Sequence, residues 1–147
     1  MKRSKIPGLD GRKMSKSYSN FISLREAPKA VKQKILTMPT DPARVRRSDP
    51  GDPQKCPVWN LHKIYSTTDV KAWVQEGCVS AGIGCVDCKQ PLINSINAEL
   101  TPIRDKVAEL QTKPDIINTI LAEGAEKARV TAQQTMQEVR AAMDLDY

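Results

Sequence analysis

Between Pro91 and Met143 apolar residues recur at helical spacing, which confines the C-terminal half of this chain to long helices. Leu92, Ile93, Ile96, Leu100, Ile103, Val107 and Leu110 form one stripe. Ile117, Ile120, Leu121, Ala128, Ala132, Met136, Val139 and Met143 form a second. Pro102 interrupts the first stripe and predicts a kink. Pro114 opens the second helix, where a missing N–H costs little. Each stripe predicts a buried face, and the two helices are expected to run antiparallel. No segment alternates like a strand, so the expected class is mainly α, with aliphatic side chains filling the core.

The N-terminal half is more irregular. Residues 1–20 read as loop, broken at Gly8, Asp10 and Gly11. Ser23 and Glu26 have capping-box spacing and predict a helix beginning after Ser23, with Leu24, Ala27, Val31 and Ile35 on its apolar face. Pro39, Pro42, Pro50, Pro53 and Pro57 make residues 37–57 a connector. Short helices are expected over 59–66 and, capped by Asp69, on to Gly77. Residues 78–88 read as a binding loop.

Charge is uneven. Residues 1–50 hold 13 Lys and Arg against 4 Asp and Glu, a balance of +9, while residues 51–147 hold 10 against 13, a balance of −3. Such asymmetry points to a polyanion on one side. No apolar run reaches membrane-spanning length, and the basic start has no apolar stretch behind it, so no signal peptide is expected. The expected compartment is the cytoplasm, where cysteines serve as metal ligands or plain thiols more than as disulfides.

Cys56, Cys78, Cys85 and Cys88 are the chain's four cysteines. The Cys85–Cys88 spacing lets two thiolates bind one metal centre. Thiolates suit zinc or an iron–sulfur cluster, and spacing alone does not choose cleanly between them. Zinc sites more often use two short Cys-x-x-Cys knuckles; one pair with two remoter cysteines leans towards a cluster. His62, the single histidine, is expected to pack or to face solvent.

Lys13-Met14-Ser15-Lys16-Ser17 places two lysines around short hydroxyl residues just after a glycine. Two ammonium groups so spaced can converge on phosphate oxygens, with backbone amides free to face the anion. A solvated basic loop has the same composition. The string also reproduces the KMSKS signature of class I aminoacyl-tRNA synthetases. Ile6-Pro7-Gly8-Leu9-Asp10-Gly11-Arg12 before it and Ser19-Asn20 after it resemble bacterial-type tryptophanyl-tRNA synthetases. So do Thr40-Asp41, Leu61-His62-Lys63-Ile64-Tyr65-Ser66, and Glu123-Gly124-Ala125-Glu126-Lys127-Ala128.

The resemblance implies an enzyme that joins tryptophan to ATP, releases pyrophosphate and transfers the amino acid to tRNA. Lys13 and Lys16 would then be catalytic contacts to the ATP phosphates, assisted by Mg²⁺. Ser15 and Ser17 would shape the loop, and Met14 would pack at its hinge. Residues 1–22 would be the remnant of a nucleotide-binding domain, and 23–147 a helical anticodon-binding domain with a loop-rich metal subdomain at 56–88. A subset of the family carries a similar four-cysteine pattern, implying that Cys56, Cys78, Cys85 and Cys88 hold a [4Fe–4S] cluster beside the anticodon, with zinc as the alternative. The family's N-terminal parallel sheet and HIGH signature are not in this sequence. The chain is therefore expected to be an excised domain or a truncated reading frame, inactive alone, and the full enzyme a homodimer.

Arg44, Arg46, Arg47, Lys55 and Lys89 are the candidate RNA contacts, each equally readable as surface charge. Trp59 and Trp73 could stack on bases or pack inside. Two other functions compete. One is a free-standing, non-catalytic RNA-binding module with a metal-stapled loop. The other, weaker, is an iron–sulfur electron carrier.

Overall fold

A computed structural model describes residues 5–145, and the chain divides into two compact units between Arg104 and Asp105. The basic start that argued against a signal peptide lies mostly outside the described residues. Five helices carry the fold: α1 (Pro28–Leu36), α2 (Pro57–Tyr65), α3 (Thr68–Val79), α4 (Cys85–Gln111) and α5 (Pro114–Ala142). Among the described residues the only extended pairing is an isolated antiparallel bridge, Pro7 to Lys13. The mainly α expectation holds. No helix among the described residues is long and apolar enough to cross a membrane.

The first unit is built around α1, α2 and α4. Val31 and Ile35 of α1, Val58 and Leu61 of α2, and Leu92, Ile93, Ile96 and Leu100 of α4 form one buried cluster with Met38. Leu9 and Ile22 pack against it, anchoring the N-terminal loop to the helices. Long-range hydrogen bonds tie the elements together. Lys89 Nζ donates to the carbonyls of Leu36 and Met38, both at 2.7 Å. Those carbonyls lie at and just beyond the end of α1, where helix oxygens lack internal partners. Arg104 Nε donates to the Glu26 carbonyl at 2.7 Å.

Several boundaries differ from expectation. The Ser23–Glu26 pair does meet, since Ser23 N–H donates to Glu26 Oε2 at 3.0 Å, but it closes a turn rather than a helix. Helix α1 starts at Pro28, where the fixed φ of proline suits a first turn. Leu24 therefore stays exposed. Thr67, not Asp69, caps α3 by accepting from Val70 N–H. The expected 78–88 loop shrinks to residues 80–84, because α3 runs on to Val79 and Cys85 begins α4. Helix α4 runs through both Pro91 and Pro102.

In the second unit α5 has no buried residue. Its predicted buried face is instead exposed: Ile120 is 58% and Leu121 64% accessible, and Ile117, Met136, Val139 and Met143 are exposed too. The periodicity is real, but among the described residues of the second unit nothing covers it.

Candidate functional site

Two sites are built on the first unit. The first is the lysine loop. Met14 N–H donates to the Ile6 carbonyl (2.9 Å) and Gly8 N–H to the Arg12 carbonyl (2.6 Å), folding residues 6–14 back on themselves. Gly11 turns the chain at φ +81°, a conformation that costs glycine little.

Asn20 is the keystone, although in the sequence it stands out only through the family resemblance. Buried, its side chain donates to Asp10 Oδ1 (2.7 Å) and to the Lys13 carbonyl (3.1 Å), and accepts from Ser15 N–H (2.7 Å). Gly8 must be glycine, because a Cβ there would fall 2.4 Å from Asn20 Nδ2. The Asn20 and Arg12 contacts hold the Asp10 carboxyl below its ordinary pKa.

Ser15 then caps a short 3-10 turn over Lys16–Tyr18, its Oγ accepting from Ser17 N–H at 3.3 Å. One expectation is corrected here. The amides of Met14, Ser15 and Ser17 are spent on the loop's own architecture. What the loop offers an anion is its ammonium groups. Lys13 and Lys16 are exposed, and no carboxylate among the described residues is in ion-pair range of either. Met14 is half-buried beside Leu61 and Ile96, where a hinge plug would sit.

The second site gathers Cys56, Cys78, Cys85 and Cys88, all free thiols, around one small cavity also bordered by Thr40, Asp41 and Arg44. The helices explain the convergence. Cys56 precedes α2, Cys78 lies in the last turn of α3, and Cys85 and Cys88 share the first turn of α4. Gly51 permits the approach. Its N–H donates to the Cys78 carbonyl at 2.9 Å, and a Cβ there would meet Cys78 Sγ at 2.6 Å. Burial pushes the Cys88 thiol up to about 12, and the neighbouring sulfurs of Cys56, Cys78 and Cys85 add to the rise. Cys78 is raised for the same reasons, against the pull of Arg44. Four thiolates here would repel one another unless a cation sat among them. Among the described residues no three Cys, His, Asp or Glu side chains already surround a single-ion position.

Two candidate RNA contacts belong to this site's scaffold instead. Arg44 is buried, with Nη2 donating to the carbonyls of Arg47 (2.9 Å) and Ile83 (2.7 Å) and Nη1 lying 4.0 Å from Cys78 Sγ. Its Nε is buried without a partner, and Arg44 is among the residues bordering the cavity. Lys89 is buried on the two carbonyls at the end of α1, and burial lowers its pKa. A basic residue reads as a surface charge in sequence, and only the packing reveals that these two point inward. Arg46, Arg47 and Lys55 are exposed. Arg46 and Arg47 border an open cleft with Val45 and Val86, and Cys85 lies on that cleft as well as on the thiol cavity.

His62 is fully buried rather than solvent-facing, with Nε2 3.5 Å from Cys88 Sγ. Burial takes its pKa down to about 4, so the ring is neutral near pH 7. Trp59 is buried and Trp73 exposed. Asp41, from the Thr40-Asp41 pair, accepts from Ala43 N–H (3.0 Å) and Asp52 N–H (2.7 Å) and so pins the connector under the cysteines. Those backbone donors lower its pKa.

The sequence profile of the family described as tRNA synthetases class I (W and Y) matches residues 2–101. A tryptophan–tRNA ligase of Ralstonia nicotianae is 54% identical over 144 residues, covering 98% of this chain and 36% of its own length. That of Thermotoga maritima is 49% identical, covering 97% and 44%. The crystal structure of a tryptophanyl-tRNA synthetase from Campylobacter jejuni, complexed with ADP and tryptophan, superposes with a TM-score of 0.82 at 32% identity, over 97% of this chain and 44% of that one. The chain thus spans well under half the length of these relatives.

Proposed function

The chain belongs to the class I tRNA synthetases of the W and Y family, and from that membership we propose that it is the C-terminal part of a tryptophan–tRNA ligase. It would supply the phosphate-binding loop and the anticodon-binding helical domain of an enzyme acting in cytoplasmic protein synthesis. The observation that carries this reading is the lysine loop, which is braced through Asn20 and presents Lys13 and Lys16 outward without internal ion partners. ATP phosphates, with Mg²⁺, are what two such ammonium groups suit. As charge moves onto the departing pyrophosphate, prearranged cations stabilise it. Ser15 and Ser17 hold the turn between them. Tryptophan and the second subunit of a homodimer would be met by parts of the protein outside these 147 residues. Pure chain of this length is accordingly expected to show no tryptophan-dependent pyrophosphate exchange, and measurable exchange would overturn the assignment of roles.

Cys56, Cys78, Cys85 and Cys88 fit a thiolate-bound metal centre, as the shared cavity and the buried, unpartnered Nε of Arg44, a residue on its border, argue. A [4Fe–4S] cluster is the preferred occupant and zinc the alternative. Either would cross-link α2, α3 and α4 and so fix the cleft carrying Arg46 and Arg47, with Lys55 nearby in sequence, as the surface that meets the anticodon. The experiment is iron, zinc and acid-labile sulfide content after anaerobic purification, followed by binding of an anticodon stem-loop before and after chelation. About four irons and four sulfides per chain support the cluster. Stoichiometric zinc replaces the cluster with a structural ion. Unchanged RNA affinity after metal loss removes the link between the site and the anticodon. A non-catalytic RNA-binding module remains the second reading, but it leaves Lys13 and Lys16, which have no ion partners among the described residues, without a task.

A further inference from the structure

We infer that His62 is a positioning residue for the thiol site: in the metal-loaded protein its Nε2–H donates to the Cys88 sulfur, and Ser66 holds the imidazole in that tautomer. The inference rests on reading the four cysteines as ligands of one metal centre.

The geometry is specific. His62 is fully buried and Ser66 nearly so. Nδ1 stands 2.7 Å from Ser66 Oγ, and Nε2 stands 3.5 Å from Cys88 Sγ. Both ring nitrogens are therefore engaged, one on each side. Ser66 is the C-cap of α2, one turn beyond His62, and its N–H donates to the His62 carbonyl at 3.0 Å. The hydroxyl is thus placed by the same helix end that carries the ring. Trp59 packs beside the imidazole, with centroids 6.2 Å apart.

Proton counting gives the direction of each bond. A neutral imidazole has one donor nitrogen and one acceptor nitrogen. A metal-bound thiolate carries no proton and only accepts. Facing it, Nε2 must hold the ring's proton, which leaves Nδ1 as the acceptor and the Ser66 hydroxyl as its donor. A serine hydroxyl rotates to donate or accept, so it suits this role. When Cys88 keeps its thiol proton the opposite arrangement fits equally: S–H donates to Nε2 and Nδ1–H donates to Ser66. Metal loading removes the Cys88 proton and leaves Nε2–H as the one arrangement of the neutral ring that satisfies both neighbours. An N–H···S bond in a buried setting draws charge from the sulfur and holds the ligand in place, as partners of metal ligands commonly do.

The chain has one histidine, so the test is unambiguous. Nitrogen-15 spectra of histidine-labelled full chain would be recorded after loading with Cd²⁺, a diamagnetic thiolate-binding probe. A protonated Nε2 and an unprotonated Nδ1 are expected. His62→Phe should speed loss of Cd²⁺ to a chelator by about 10- to 100-fold. His62→Gln, which returns an N–H near the same position, should restore most of that retention. A proton on Nδ1 in the loaded chain overturns the inference, as does an unchanged release rate in folded His62→Phe. If that variant does not fold, the tautomer in the unsubstituted chain decides. Failure of the ligand reading looks different: neither stoichiometric Cd²⁺ uptake nor assembly of a cluster from iron and sulfide, with four thiols still reactive, in which case the inference falls with it.

Discussion

Replacing Lys16 with alanine in the full-length protein is expected to lower kcat for tryptophan-dependent pyrophosphate exchange by about 100- to 1,000-fold. KM for tryptophan should change little. The reason lies in what the loop can offer. The amides of Met14, Ser15 and Ser17 are committed to Ile6, Asn20 and Ser15, so on the proposed reading stabilisation of the departing pyrophosphate would fall on the two ammonium groups. Lys16 sits at the start of the 3-10 turn with no ion partner for its side chain among the described residues, so on that reading it would be free to follow the phosphates as charge develops. The alanine variant removes that cation and leaves the fold untouched, because the exposed side chain supports nothing else. Steady-state exchange kinetics check it. A kcat within twofold of the parent would mean that phosphate binding falls to other groups.

Leu92→Ala is expected to cost about 2–5 kcal/mol of stability. Leu92 is fully buried on α4 within the cluster shared by Val31, Ile35, Val58 and Leu61. Truncation there removes apolar contact and leaves a cavity that helices from three directions cannot readily close. Urea unfolding followed by circular dichroism measures the shift. A change below 1 kcal/mol would mean that α4 is not the centre of the first unit's core. Cys88 lies on the same helix and packs against the same cluster, so the loss should also loosen the thiol site.

Local signals were readable without tertiary structure. The stripe from Leu92 to Leu100 is buried as its spacing demanded, and Pro114 opens a helix as expected. The lysine loop and the four cysteines were legible because their chemistry resides in residue type and spacing. Side-chain direction was not. Arg44 and Lys89 read as surface cations, yet both are buried on carbonyl oxygens. His62 read as incidental, yet it stands against Cys88. The α5 stripe read as core, yet it is exposed, because periodicity records that a face is apolar and says nothing of what covers it.

The sequence by itself determined the helical class, the positions of the lysine loop and thiols, and their order along the chain. Those properties depend on near neighbours: helical spacing, proline geometry and the charge of a short loop. Only the tertiary structure decided that Asn20 locks the lysine loop, that Gly51 makes room for the Cys78 sulfur, and that α2, α3 and α4 bring four distant thiols to one cavity. Those contacts join residues separated by up to dozens of positions. Their partners are chosen by how the helices pack, which no local pattern encodes.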